Sequence, residues 1–138
     1  EVINSSLSST FYLTTLAAKS WVQKTQNGLI INFSSIASYG NPGQSAYSAA
    51  KSGINGLTIS TAKELGQYGI RCVALAPGFI NTKSTELALS EDRLRKIKRA
   101  IPLKRLGDVS EIALAIDFAM ENEYLTGVVL DINGGMSI

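Results

Sequence analysis

The stretch from Leu29 to Gly53, LIINFSSIASYGNPGQSAYSAAKSG, limits most narrowly what this chain can fold into. Residues 29–33 favour a strand that ends at two serines, the Gly/Asn/Pro cluster at 40–43 forces a loop, and an alanine-rich helix begins near Ser45. A strand that leads through a polar turn into a helix is the repeating unit of α/β proteins. We therefore expect the same alternation in the rest of the chain.

The flanking segments predict further strands and helices. The apolar run 70–76, closed by Pro77-Gly78, is typical of a parallel strand covered on both faces. Helices are expected over 1–25, 45–68, 84–100 and from Asp108 or Ser110 to Met120. Gly69 should end the second helix, and Ser90 is an N-cap in the third. A last strand is expected over 127–132. These elements predict one α/β domain with a parallel sheet over residues 1–138.

Tyr47 and Lys51 lie four residues apart on the second predicted helix, so their β-carbons should be about 5–6 Å apart on one face. A free phenol has a pKa of about 10, and a nearby ammonium would favour its ionised form. A serine at the end of the preceding strand could donate a hydrogen bond to a carbonyl oxygen as charge develops there. The combination suits carbonyl reduction or alcohol oxidation, although a Tyr-x-x-x-Lys pair alone would arise by chance in roughly three such chains in ten.

The motifs IINFSS, GNPGQSAYSAAKSGINGLT, VALAPGFINT, IPLKRLGDVSEIA and YLTGVVLDINGGM occur in this order and cover nearly the whole chain. Together they resemble the short-chain dehydrogenase/reductase family, closest to its 3-oxoacyl carrier-protein reductase branch. The resemblance implies a doubly wound, Rossmann-like parallel sheet, of which this chain is the C-terminal portion. It also implies an NAD- or NADP-dependent oxidoreductase, with NADP slightly favoured.

The resemblance assigns a role to each motif residue. Tyr47 would be the acid/base, Lys51 would bind the nicotinamide ribose and lower the tyrosine pKa, and a serine would orient the substrate carbonyl. The cofactor would also contact the turn after the second strand, at Pro77, Gly78, Ile80 and Thr82. The family spacing counted back from Tyr47 selects Ser34 as that serine, whereas the strand-end motif selects Ser35; we favour Ser35, because a deletion is tolerated better in a loop than in a buried strand.

Two departures from the family pattern concern catalysis. Ser6 stands where the family usually carries an asparagine that relays protons through the lysine. No glycine fingerprint for a pyrophosphate occurs between a strand and a helix, and that part of the family fold would lie before Glu1. We therefore expect missing sequence, a complementing segment or extensive oligomerisation, and no cofactor-dependent turnover by the 138 residues alone.

The substrate is expected to be a carbonyl or alcohol compound of the 3-oxoacyl or small-ketone class. Gln26 and Tyr68 occupy the positions where carrier-protein reductases of this resemblance place docking arginines, which disfavours a typical carrier-protein substrate. The charges of 84–100 suggest a solvated face, and its apolar residues could line a lid over the substrate: Leu87, Leu89, Leu94 and Ile97.

Composition excludes several classes of function. The net charge is +2, and no Lys/Arg block is interleaved with aromatics as on a nucleic-acid surface. The chain has no histidine and one cysteine, so a zinc site is not expected, and Cys72 is predicted to be an inert buried thiol that fits a reducing cytoplasm. No run of about 18 apolar residues predicts a membrane span.

The alternative to an enzyme is a noncatalytic fragment that acts only in oligomeric assembly. The helix at 45–68 has a smooth second face of small residues, Ala49, Gly53 and Gly56, and the opening helix carries Phe11, Leu13 and Trp21 beyond one narrow stripe. Such surfaces predict a homodimer or, with the family resemblance, a homotetramer.

Overall fold

A computed structural model describes residues 1–136, with only the backbone described at residues 84, 86 and 88. In this part of the chain three strands, β1 (Gly28–Phe33), β2 (Ile70–Pro77) and β3 (Val129–Ile132), form one sheet. A π-helical turn (Asn4–Ser8) leads into the first α-helix. The α-helices are α1 (Ser9–Gln23), α2 (Ser45–Leu65), α3 (Lys83–Ala88), α4 (Glu91–Ala100) and α5 (Val109–Glu121). Short 3-10 turns cover Ile36–Tyr39 and Gly66–Tyr68. The predicted α/β class is confirmed.

The strand β2 lies at the centre of the sheet because its sequence is apolar on both faces. It pairs in parallel with β1, from Gly28 opposite Ile70 to Phe33 opposite Leu75, and with β3, from Ala74 opposite Val129 to Pro77 opposite Ile132. Every residue from Cys72 to Ala76 is fully buried. Burial raises the pKa of the Cys72 thiol to about 11, so the thiol stays protonated and unreactive at neutral pH, as the sequence predicts.

The structure corrects two predicted boundaries. Residues 84–100 form two helices, α3 and α4, because Leu89 and Ser90 are extended and the Ser90 side chain accepts a hydrogen bond from the Arg93 amide. The last strand begins at Val129 rather than at Gly127. Asp108 is the N-cap of α5 and forms a capping box with Glu111, which decides between the two predicted starts of that helix.

Arg71 fastens α5 to the sheet. Its Nη1 donates to the carbonyl oxygens of Ala119 at 2.8 Å, Asn122 at 3.1 Å and Leu125 at 3.1 Å, and its Nη2 donates to that of Met120 at 3.3 Å. The last carbonyls of a helix have no partner within the helix, and a cation is favoured there by the helix dipole. One β2 side chain therefore satisfies the end of α5 and the loop that leads into β3.

We expect the Arg71→Ala substitution to lower the free energy of unfolding by about 2–3 kcal/mol, because hydrogen bonds from a charged donor are lost at partly buried carbonyls. Urea denaturation of the full-length protein, meaning the whole natural polypeptide that contains these residues, measures the change. Arg95→Ala is the matched control, since Arg95 is exposed and forms an ion pair with Asp92 on the surface. Equal midpoints for the two variants would contradict the role of Arg71.

Candidate active site

Ser34 and Ser35, at the carboxyl end of β1, point in opposite directions because side chains alternate along an extended chain. Ser34 is buried, and its Oγ donates to the Lys51 carbonyl oxygen at 3.2 Å. The Oγ of Ser35 accepts a hydrogen bond from the Ala37 amide at 3.1 Å and caps the 3-10 turn. Ser34 therefore joins β1 to α2, whereas Ser35 lies at the surface of a cleft.

The 3-10 turn that begins after Ser35 is also tied at its other end. The Tyr39 hydroxyl donates to the Asp131 carboxylate of β3 at 2.9 Å, and this hydrogen bond raises the pKa of Tyr39. The following loop uses Gly40 and Gly43 at positive φ, 107° and 82°, to reach the start of α2. There the Asn41 amide donates to the Ser48 hydroxyl at 3.1 Å, which fixes the first turn of α2 and with it Tyr47.

Tyr47 and Lys51 lie one turn apart on α2, and the Lys51 Nζ is 5.6 Å from the centroid of the Tyr47 ring. The same Nζ donates to the Phe33 carbonyl oxygen at the end of β1, at 2.7 Å. Burial lowers the pKa of Lys51 below its ordinary value. The ammonium is thus held between the strand end and the phenol ring of Tyr47.

A cleft of about 450 Å³ contains Ser35 and Tyr47 in its wall. Gly78 and Phe79, just after β2, form a second side, and Leu89 and Ile97 form a third. The cleft lies beyond the carboxyl ends of β1 and β2, which is where open α/β sheets hold their ligands. Of the predicted lid residues, Leu89 and Ile97 line this cleft, while Leu87 is 89% exposed.

The turn after β2 holds the other residues suggested by the resemblance. The Gly78 amide donates to the Ile132 carbonyl at 2.9 Å, and a β-carbon at Gly78 would lie only 2.9 Å from the Asn133 Cα, so glycine is required for this close approach. The Thr82 hydroxyl caps α3 by accepting from the Thr85 amide, and the Thr85 hydroxyl donates to the Ile80 carbonyl. Pro77, Ile80 and Thr82 are not among the residues that line the cleft with Tyr47.

Ser6, at the position of the usual asparagine, lies in the π-helical turn before α1. Its carbonyl oxygen accepts hydrogen bonds from the Thr10 hydroxyl at 2.6 Å and the Ser9 hydroxyl at 3.3 Å. Ser6 and Lys51 line a second cleft, of about 530 Å³, beside the free edge of β1. The lysine therefore lies between the two clefts, with Tyr47 on one side and Ser6 on the other.

Sequence reasoning missed three polar residues of the Tyr47 cleft: Asn41, Gln44 and Arg93. Asn41 and Gln44 belong to the loop that was predicted only as a connection, and the Asn41 side-chain amide donates to the Gln44 Oε1 at 2.8 Å. Arg93 belongs to the segment 84–100, whose charged side chains are predicted to face solvent. The Ser90 N-cap was the available signal, since it fixes which residues begin α4.

The sequence model of the family described as Enoyl-(Acyl carrier protein) reductase matches residues 1–137. The chain belongs to the short-chain dehydrogenase/reductase family. Carbonyl reductase family member 4 of Xenopus tropicalis is 44% identical over 124 residues, which are 89% of this chain and 50% of that protein. The 3-oxoacyl-(acyl-carrier-protein) reductase of Thermotoga maritima is 43% identical over 140 residues, 99% of this chain and 56% of that protein.

The fold of this short-chain dehydrogenase/reductase is also found in solved structures. A 4-hydroxyisoleucine dehydrogenase complexed with NADH superposes with a TM-score of 0.91 at 30% sequence identity, over 96% of this chain and 56% of that one. The chain thus spans about half the length of the relatives it matches. No helix in the described part of the chain is both long and apolar enough to cross a membrane.

Proposed function

We propose that the protein transfers a hydride between a nicotinamide cofactor and a carbonyl or alcohol substrate. The observation that carries this proposal is that Ser35 and Tyr47 line one cleft while the Lys51 ammonium lies 5.6 Å from the Tyr47 ring. Membership of the short-chain dehydrogenase/reductase family supports it. A role in assembly alone has no observation in its favour.

Each side chain has a defined task in the reducing direction. The Ser35 Oγ already accepts a hydrogen bond from the Ala37 amide, so its own proton is available for the substrate carbonyl oxygen. When bound, the reduced cofactor supplies the hydride to the carbonyl carbon. Tyr47 gives its proton to the oxygen of the forming alcohol, and the Lys51 charge stabilises the phenolate that remains. Alcohol oxidation reverses these proton movements.

The donor groups beside the cleft fit a nicotinamide ribose. Lys51 presents an ammonium beside Tyr47, and Gly78 brings backbone close to the cleft without a side chain. We assign cofactor contacts to Tyr47, Lys51 and the turn after β2, with Pro77, Gly78, Ile80 and Thr82. The family resemblance favours NADP, whereas the similar 4-hydroxyisoleucine dehydrogenase was solved with NADH.

The substrate class is a 3-oxoacyl compound or a small ketone. One similar protein is a carbonyl reductase and another a 3-oxoacyl-(acyl-carrier-protein) reductase. Gln26 and Tyr68 are exposed and uncharged, so the positions that would dock an acidic carrier lack the cations for it. We infer that the substrate is a small ketone. We also infer that the protein acts in the cytoplasm, where a buried lone thiol such as Cys72 remains reduced.

The decisive experiment follows oxidation of NADH and NADPH by the full-length protein with a panel of ketones and 3-oxoacyl compounds. Steady consumption that depends on both cofactor and ketone is the expected result. A folded protein that binds neither cofactor and reduces no carbonyl compound would contradict the proposal. Comparison of the two cofactors decides between NAD and NADP.

We further propose a homodimer or homotetramer. On α1 large apolar side chains remain exposed: Phe11 49%, Leu13 68% and Leu16 65%. The exposed small-residue face of α2 is narrower than predicted, because Leu7 covers Gly53. A β-carbon at Gly53 would lie 2.7 Å from the Leu7 Cδ2. Ala49 and Gly56 remain exposed. Phe11 lines a surface groove together with Leu57 and Leu65 of α2, and apolar surface that two helices share in this way usually marks an interface.

Light scattering of the full-length protein at micromolar concentration is expected to give the mass of a dimer or tetramer. Phe11→Glu should shift the population towards monomer, because it would bury a charge in the interface. Tyr124→Glu is the control, since Tyr124 is 99% exposed on the loop before β3. A stable monomer in the unmodified protein would refute the assembly.

A further inference from the structure

The cleft that contains Ser35 and Tyr47 has one charged residue among the described residues that line it. That residue is Arg93, in the first turn of α4, and no aspartate or glutamate accompanies it. The remaining side chains are polar or apolar, and the apolar ones are Ile36, Ala37, Phe79, Leu89, Ile97 and Met136. An anionic group in this cleft would therefore meet a cation, and none of the described lining residues is a carboxylate.

The position of Arg93 follows from how α4 begins. The Ser90 side chain accepts a hydrogen bond from the Arg93 amide and so fixes the first turn of the helix. Ile97, one turn later on the same helical face, lines the same cleft. Arg95 leaves the helix in another direction and pairs with Asp92, whereas neither of the ion pairs found among the described side chains includes Arg93.

The surrounding sequence strengthens the positive potential at this wall. Residues 93–105, RLRKIKRAIPLKR, contain seven of the 13 lysines and arginines of the chain and no acidic residue. The chain as a whole has a net charge of only +2, so the positive charge is concentrated on α4 and the segment after it. Two of the seven cations are paired, Arg95 with Asp92 and Arg105 with Glu111, and the net positive charge of the others favours an anionic ligand at this wall.

We propose that Arg93 binds an oxyanion of the substrate, a carboxylate or a phosphate ester, while the ketone of the same molecule lies at Ser35 and Tyr47. The proposal rests on the proposed function and narrows its substrate class to anionic ketones. A guanidinium presents two parallel N–H donors that match the oxygens of either group. The apolar side chains of the cleft would contact the carbon chain between the ketone and the oxyanion.

The test uses matched substrates that differ only in the charged group. The full-length protein and its Arg93→Gln variant are assayed with a 3-oxo acid and its methyl ester, and with a phosphorylated ketone and its dephosphorylated counterpart. The Arg93→Gln variant loses a charged hydrogen bond to the oxyanion, so its kcat/KM for the preferred anionic ketone should fall about 10- to 100-fold. Its kcat/KM for the matched neutral ketone should change less than about twofold. The pair that shows the loss identifies carboxylate or phosphate.

Two further variants separate a specific contact from general charge. Lys98→Gln removes the same charge from an exposed position of α4 that does not line the cleft, and kcat/KM should change little for every substrate. Arg93→Lys keeps the charge but loses the paired donors, and it should restore part of the loss. If Lys98→Gln produced the same loss as Arg93→Gln, the charge of the helix and not Arg93 would select the substrate, and the proposal would be overturned.

The outcomes distinguish the substrate class from the reaction itself. If the unmodified protein reduces neutral ketones as well as anionic ones and Arg93→Gln changes neither, the oxidoreductase function stands and the role of Arg93 is wrong. If Arg93→Gln lowers both members of each pair equally, Arg93 only supports the cleft, and the proposal again fails. If no ketone is reduced with either cofactor, the proposed function falls and this inference falls with it.

Discussion

The Tyr47→Phe substitution is expected to lower kcat of the full-length protein by about 10²–10⁴-fold, the usual contribution of a general acid/base. It removes only the hydroxyl, and the ring remains beside Lys51, so the fold should be retained and cofactor binding should weaken only by the contact of that hydroxyl. Stopped assays of ketone reduction, together with circular dichroism and cofactor titration, measure the three properties.

Tyr124→Phe is the matched control for that experiment, because Tyr124 is 99% exposed and is not among the residues that line the cleft. It should retain the turnover of the unmodified protein. A Tyr47→Phe variant that is folded, binds cofactor and keeps near-normal turnover would remove Tyr47 from the mechanism.

The two neighbouring serines provide a second prediction with a large effect. Ser35→Ala should lower kcat by about 10²–10³-fold, the cost of losing one donor to a developing oxyanion. Ser34→Ala should leave kcat within about threefold and instead lower the free energy of unfolding by about 1 kcal/mol, because its buried hydrogen bond to the Lys51 carbonyl is lost. Turnover and urea denaturation, measured on both variants, give opposite patterns.

The reverse pattern would assign the reaction to Ser34 and a structural role to Ser35. The register at the end of β1 would then have to shift by one residue, so that Ser34 and not Ser35 faces the cleft, because adjacent side chains of an extended segment face opposite ways. The experiment therefore also tests the choice of Ser35, which requires the family spacing to be shorter by one residue between this serine and Tyr47.

The sheet could be predicted from the sequence because a strand that is buried on both faces, such as β2, consists mainly of apolar residues. Residues 72–76 are apolar without interruption, and all of them are fully buried in the structure. Within 84–100 the N-cap at Ser90 was predicted and is confirmed, but the segment was expected to form one helix because its residues favour helix throughout. The structure adds that Leu89 is extended, so a separate helix, α3, ends before the Ser90 hydroxyl caps α4 at the Arg93 amide.

The candidate site was predictable where it depends on spacing within one element and not where elements meet. Tyr47 and Lys51 share a helix face, so their proximity follows from the helical period. Alternation along β1 shows that Ser34 and Ser35 differ in direction but not which one faces the cleft. Arg93 gave no sequence signal of its own, because a cation within a charged helix is usually solvated.

The link between Tyr39 and Asp131 has a consequence for how this protein could change during evolution. It ties the turn that starts at Ser35 to β3, and β3 is paired with β2 next to Gly78. Two walls of the cleft, including Ser35, are thereby held against the sheet. The third wall, formed by Leu89, Arg93 and Ile97, belongs to α4 and the residue that precedes its cap. Mutations there are expected to change the substrate preference while the proposed proton-transfer groups keep their positions, so new specificities can arise without loss of the proposed chemistry.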